Sequence, residues 1–434
     1  MHILYGLVIA VAATLFPAAH AAPPNIVLIM ADDLGYETIG ANGSAHYKTP
    51  RLDALAREGM RFTQAHSQPL CTPTRVKLMT GKYNFRNYTA FGYLNPEERT
   101  FAHALKAAGY ATAIAGKWQL GHDNTLPAHF GFDEHCLWQL TYEKKDGERF
   151  ANPLLERNGE TLPRDPDAYG PDVVLEFVMD FVTRKKDGPF FVYFPMLLTH
   201  DPFVPTPDTA GWAGDRYAKD NAYFAEMVTY MDKKVGRLAD HVSALGLAEN
   251  TLFIFTADNG TSRAIASPFQ GRTVQGGKGA MTDAGTHVPL IAWWPGMIAP
   301  GTVYEGLIGF EDFFPTLLEA AERPELAAGL DGRSFLPLLR GDSYAPKPWL
   351  YMHYDPRWGN RNRDRGRFAR TVRHKLYADG RLIDVAQDPD ERSPLAGEAI
   401  TPDVAEVRAV LQGVLDDMER QGSVMSAEGA PKDE

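Results

Sequence analysis

The sequence predicts an α/β chain in which a large, mainly parallel sheet flanked by helices is followed by a small antiparallel sheet with one helix. Five apolar runs, NIVLIM (25–30), YATAIA (110–115), FFVYFPML (190–197), TLFIFTA (251–257) and VPLIAWW (288–294), are continuously hydrophobic rather than alternating, which suits strands buried on both faces. Between them lie amphipathic patterns such as TPRLDALAREGM, FAHALKAAGY, PDVVLEFVMDFVTRK and YFAEMVTYMDKKVGRLADHVSALG, and strands alternating with helices imply βαβ units. After residue 345 the texture changes to PWLYMHY, RFARTVRHKLYAD and GRLIDVAQ, short and turn-separated, with the helical pattern DVAEVRAVLQGVLDDMERQ behind them.

In chain order, residues 1–22 read as a signal peptide: ILYGLVIAVAATLF is an apolar core and Ala19-His20-Ala21 supplies small residues for cleavage. Residues 23–345 are expected to form one large domain, 346–422 a small α+β subdomain, and 423–434 a polar, disordered tail. The expectation is an exported protein, periplasmic or secreted, with no stable membrane insertion after cleavage. Net charge is −11, so the surface as a whole repels nucleic acid, and an anionic substrate must meet a local basic patch.

Two strands end alike, one in Asp32-Asp33 and one in Asp258-Asn259, each followed within two residues by glycine. Ligands of parallel α/β sheets bind beyond the carboxyl ends of strands. If these strands are neighbours, three carboxylates and an amide converge, and such crowding calls for a hard cation, calcium or magnesium. Taken singly, each stretch also reads as ordinary turn punctuation.

The chain has two cysteines, Cys71 and Cys136. They could pair as a disulfide in an oxidising compartment, or at least one could be kept for chemistry. In CTPTRVKLMTGK, Thr72 is the expected N-cap, Pro73 the first helical residue and Gly81 the stop. Cys71 then sits just before a helix N-terminus, where an anion is favoured, with Arg75 a turn onward.

The stretch Cys71-Thr72-Pro73-Thr74-Arg75 resembles the C-x-P-x-R signature of the type I sulfatases, formylglycine-dependent enzymes of the alkaline phosphatase superfamily. PNIVLIMADDLGY, GYATAIAGKWQLG, THDPF, FTADNG, GGKG and LIDVAQDPDE follow in the family's order. The resemblance implies an alkaline-phosphatase-like fold and oxidation of Cys71 to formylglycine (3-oxoalanine) by a formylglycine-generating enzyme. It also implies a divalent metal, Ca2+ or alternatively Mg2+, held by Asp32, Asp33, Asp258 and Asn259 together with residue 71. By the same resemblance Arg75 steadies the modified residue, Lys117 and Lys278 bind sulfate, and His200 contacts sulfate and protonates the leaving group.

Two departures stand out. Gln119 occupies the place of a histidine that usually hydrogen-bonds the hydrated aldehyde, and an amide is no base; Gln119 could orient the diol while His122 or another base takes the proton. In TDAGTHVP, Ala284 and His287 replace a glycine and an arginine of the family pattern. Beyond the signature, DPRWGNRNRDRGRFAR gathers Arg357, Arg361, Arg363, Arg365, Arg367 and Arg370 around Trp358. With His353 before it, this stretch is expected to contribute to a pocket for a sulfated carbohydrate, an aryl sulfate being the simpler substrate; the same stretch also reads as an exposed solubilising loop. Two other functions remain open: a phosphomonoester or phosphonate hydrolase of the same superfamily, and a non-catalytic glycan-binding relative.

Overall fold

The apolar runs become strands with almost no exposed surface. The structure, a computed structural model, describes residues 23–141, 148–359 and 364–426. The strands are β1 (Asn25–Ala31), β2 (Met60–His66), β3 (Ala111–Lys117), β4 (Glu134–Trp138), β5 (Leu155–Arg157), β6 (Glu160–Thr161), β7 (Phe190–Pro195) and β8 (Thr251–Ala257), then β9 (Ala266–Phe269), β10 (Arg272–Gln275), β11 (His287–Trp293) and β12 (Thr302–Gly309). The C-terminal region adds β13 (Leu350–Tyr354), β14 (Gly366–Arg370), β15 (His374–Tyr377) and β16 (Leu382–Asp384).

Ten strands form one sheet in the order β12-β2-β11-β8-β1-β7-β3-β4-β5-β6, while β13 to β16 form a separate sheet whose neighbours all run antiparallel. The centre of the large sheet, β8-β1-β7-β3-β4, is parallel throughout. Helices Gly170–Lys185 and Tyr223–Ala244 bury apolar stripes, Val174, Phe181, Met227 and Val235 among them. The expected mainly parallel sheet and small antiparallel sheet are both present. One expected strand, at 288–294, runs antiparallel to both β8 and β2, because a continuous apolar run fixes burial and not direction.

This topology aims four neighbouring strands at one place. Register pairs Ala31 with Ala257 and Met30 with Pro195, so β1, β7 and β8 end level and their next residues emerge together. Asp32 N donates to Leu198 O (2.8 Å), Thr199 N to Asp32 O (2.7 Å) and Asp258 N to Ala31 O (3.0 Å). Near the end of β3, Gly116 has φ +120°, and a Cβ there would lie 1.9 Å from Pro195 O. Only glycine lets β3 approach β7 that closely before Lys117.

The last helix spans Pro402–Ser426, continuing past the boundary expected at residue 422. Residues 1–22, expected as a signal peptide, Arg361, Arg363 and residues 427–434 lie outside the described residues.

Candidate active site

The helix carrying the cysteine starts two residues earlier than expected. It spans Cys71–Thr80, Leu70 stands at the cap without a side-chain hydrogen bond, and Gly81 closes it in the left-handed conformation at φ +65°. Thr72 is therefore not the N-cap: its Oγ1 accepts from Gly92 N at 3.2 Å. Pro73 falls third in the helix, which costs nothing, since first-turn N–H groups have no intrahelical partner. Sequence alone could not distinguish these positions. Thr74 Oγ1 donates to Asp258 O at 2.6 Å and pins the helix to the end of β8.

Cys71 and Cys136 are both free and buried, so the disulfide alternative is excluded. Cys136 lies on β4, 1% exposed, with burial pushing its thiol up to about 12: a small apolar core residue. Cys71 is 2% exposed and lies within electrostatic reach of Lys278 and Arg75.

Around it the expected residues converge. Asp33 N donates to Asp258 Oδ1 at 3.0 Å, and Asn259 Nδ2 to Asp33 Oδ1 at 2.8 Å. Arg75 donates to Asp258 Oδ2 (3.1 Å) and to Lys117 O (3.0 Å), joining β8 to β3 through the cysteine helix. Lys117 Nζ lies 2.8 and 3.0 Å from the two oxygens of Asp32. Lys278 Nζ reaches Asp33 Oδ2 at 2.5 Å and His200 Nε2 at 2.9 Å. Since an ammonium only donates, His200 Nε2 is the acceptor there, and Nδ1 carries the proton toward Asp201 O at 2.6 Å.

Charge is unevenly borne. Burial opposes ionisation of Asp32, yet Lys117, Arg149 and Arg75 hold it well below the usual carboxylate range. Burial raises Asp33 against the pull of Lys278. Burial and then the neighbouring Asp32 push Asp258 up to about 7. His200 is held well below its ordinary value by burial and then by Arg149 and Lys278, so it is neutral at neutral pH.

The donor set fits a hard divalent cation. Ligand atoms of Asp32, Asp33 and His200 all lie within 4.8 Å of one another, and Asn259 Oδ1 is buried without a hydrogen-bond donor, an acceptor left over where a cation would use it.

Other expected residues are more distant or differently employed. Gln119, at φ 57°, keeps a buried Oε1 without a donor. His122 is exposed and makes no hydrogen bond to the cluster among the described residues. His353 and Arg357 line a separate cavity of about 320 Å³ with Tyr88, Asp355 and Arg367. Its link to the site is Tyr88, whose hydroxyl is raised by burial and then by Cys71, and which also feels Arg357. The expected basic patch is partly dissolved: Arg370 is fully buried against Asp283 at 2.7 Å, and Asp364 pairs with Arg263 at 3.2 Å. His287 stacks on Tyr36, ring centroids 4.1 Å apart.

Sequence reasoning missed Arg149, which reaches Asp32 Oδ2 at 3.0 Å with 7% exposure. It stands outside any recognisable motif; its only signal is an arginine set beside Phe150. A cavity of about 410 Å³ opens from Lys278 between Asp201, Phe203, Lys219, Asn221 and Arg263.

Comparison with known proteins agrees with this geometry. A family profile described as Sulfatase matches residues 24–322, and one described as N-sulphoglucosamine sulphohydrolase, C-terminal, matches 277–421. Human (Homo sapiens) arylsulfatase A is 35% identical over 391 residues, covering 80% of this chain and 73% of its own. N-acetylgalactosamine-6-sulfatase of Canis lupus familiaris is 31% identical over 386 residues, covering 80% and 72%. Among solved structures, BT4656 in complex with its substrate D-glucosamine-2-N,6-O-disulfate superposes with a TM-score of 0.76 at 21% identity, covering 92% of this chain and 98% of that one.

Proposed function

The chain belongs to the sulfatase family and is a sulfuric ester hydrolase, and from that premise we propose that it removes sulfate from a sulfated carbohydrate through formylglycine made from Cys71. The carbohydrate-directed relatives support the substrate class. What carries the reading is the meeting, at the ends of four adjacent strands, of three carboxylates and their cations beside a buried cysteine at a helix N-terminus.

Asp32, Asp33, Asp258 and Asn259 would hold a divalent cation, calcium by its oxygen donors. Bound there, the cation supplies Lewis acidity beside position 71, and the hydrated aldehyde supplies one hydroxyl as nucleophile and a second whose ionisation lets sulfate go. Arg75, fixed on Asp258 and Lys117 O, sets the helix start against the carboxylates. Lys117 and Lys278 neutralise the oxygens of the sulfate group. His200 is neutral because burial, and then the cations Arg149 and Lys278, disfavour its charge; an anionic substrate offsets those cations, and Nε2 then gains the proton it delivers to the departing oxygen. Gln119 Oε1, lacking a donor of its own, accepts a hydrogen bond from a hydroxyl at position 71. The carbohydrate beyond the ester extends toward Tyr88, His353 and Arg357. Residues 1–22 direct export to the periplasm or the medium, and maturation requires a formylglycine-generating enzyme.

Turnover of an aryl sulfate beside the matching aryl phosphate tests this. Faster release from the sulfate, abolished by chelation and restored by calcium, is expected; preference for the phosphate overturns it in favour of the phosphoester alternative. Binding of sulfated glycan without turnover, even with the aldehyde present, favours the non-catalytic alternative.

A further inference from the structure

The site holds more positive charge than its carboxylates need. Arg75, Lys117, Arg149 and Lys278 are four cations facing the three carboxylates Asp32, Asp33 and Asp258. The excess grows once a divalent cation is added, and buried charge of one sign is tolerated only where a counter-ion enters. Each cation can be followed to its partners. Arg75 is used twice within the protein, on Asp258 and on Lys117 O. Lys117 already covers both oxygens of Asp32, so Arg149 makes a second, redundant contact to that carboxylate through Nη1 alone.

The Arg149 guanidinium is also fixed in orientation. It lies over the Trp138 ring at 4.1 Å and near Phe150 at 5.9 Å. Beyond Nη1, no acceptor for its remaining N–H groups is found among the described residues. A buried, aromatic-backed fork with spare donors, held against Asp32, is suited to two oxygens of a tetrahedral anion.

We propose that Arg149 is a sulfate-binding residue of this enzyme, clasping two non-bridging oxygens of the ester with its planar fork while Lys117 and Lys278 act as point charges. This rests on the sulfatase reading above. It places the strongest oxygen-orienting group on the β4 side of the site, over Trp138.

The test uses the aldehyde-bearing, calcium-loaded enzyme with 4-nitrophenyl sulfate as substrate and inorganic sulfate as inhibitor. Arg149→Met is expected to lower kcat/KM by about 10²- to 10³-fold, the loss typical of one oxyanion donor, and to weaken inhibition by sulfate in parallel. Arg149→Lys keeps the charge but not the fork and recovers only part of both. Added guanidinium ion partly restores turnover to Arg149→Ala, which a purely structural role would not allow. The inference is overturned if Arg149→Lys or Arg149→Met retains wild-type kcat/KM and sulfate inhibition while only its thermal midpoint falls, since Arg149 is then a counter-ion to Asp32. A wild type that hydrolyses no sulfate ester instead overturns the sulfatase reading, and the inference with it.

Discussion

Two clusters of buried charge, one at the ends of β1 and β8 and one where the C-terminal sheet meets the large domain, are built from the same residue types and behave oppositely. In the second, Arg370 Nη1 donates to Asp283 Oδ1 (2.7 Å), its Nε to Thr371 O (3.0 Å) and its Nη2 to Val372 O (3.0 Å). Lys375 Nζ lies 2.9 Å from Glu391 Oε1, which also accepts from Asp283 N at 2.8 Å, and the Tyr377 hydroxyl donates to Glu391 Oε2. Every charge there is answered by protein, and Asp283, despite burial, is held well below the usual carboxylate range by Arg370 and Lys375. The first cluster leaves Asn259 Oδ1, Gln119 Oε1 and Arg75 Nε without partners and lifts Asp258 to about 7. Self-sufficient charge is architecture; charge with remainders is a site for something that binds.

The two are also coupled. Lys375 Nζ donates to Met281 O at 2.5 Å, and Gly279 N to Pro69 O at 2.7 Å. The closed cluster thus grips the loop that presents Lys278 and ties it to the turn before Cys71.

The largest expected effect falls on the open cluster. Cys71→Ala should lower kcat by about 10⁴-fold or more while leaving the urea midpoint near that of wild type, as measured by aryl sulfate turnover and denaturant unfolding. The comparison itself is tested by removing one carboxylate from each side. Glu391→Gln breaks a self-contained pair and should cost about 3–5 kcal/mol of unfolding free energy. Asp258→Asn, measured without divalent cations, should cost far less, because burial and Asp32 already disfavour its charge; equal losses would erase the distinction.

A smaller effect comes from pH. Burial, chiefly, holds His287, beside the closed cluster, down to about 4. The unfolded chain takes up this proton below about 6.5, whereas the folded one does not until about 4. Stability from this group is therefore intact above about 6.5 and lost as pH falls toward 4, by up to about 3 kcal/mol. Urea unfolding across that window should flatten in His287→Gln. Smallest is the gain from cation binding: calcium at about a hundred times its Kd should stabilise the wild type by about 2.7 kcal/mol, and the gain should vanish in Asp33→Asn.

Much of this was legible because the fold places neighbours in sequence next to neighbours in space. Asp32-Asp33 and Asp258-Asn259 sit at the tips of long apolar runs, and on the other side of β1 His200 follows β7 while Lys117 ends β3. Less was legible where pairing is not local. β2, MRFTQAH, is only partly buried along its length and carries too weak a pattern to announce a strand. Arg370 reads as one more charge in an exposed run, although period two along β14 puts it on the face of Phe368, which is also buried. Arg149 lies in irregular chain, where no periodicity reports which way a side chain turns.

The most direct measurement is peptide mass spectrometry of the tryptic fragment Phe62–Arg75 from enzyme that is turning over aryl sulfate. The account predicts an aldehyde or its hydrate at position 71, in a proportion that tracks specific activity across preparations. Full activity in a preparation whose residue 71 is entirely cysteine thiol would contradict it.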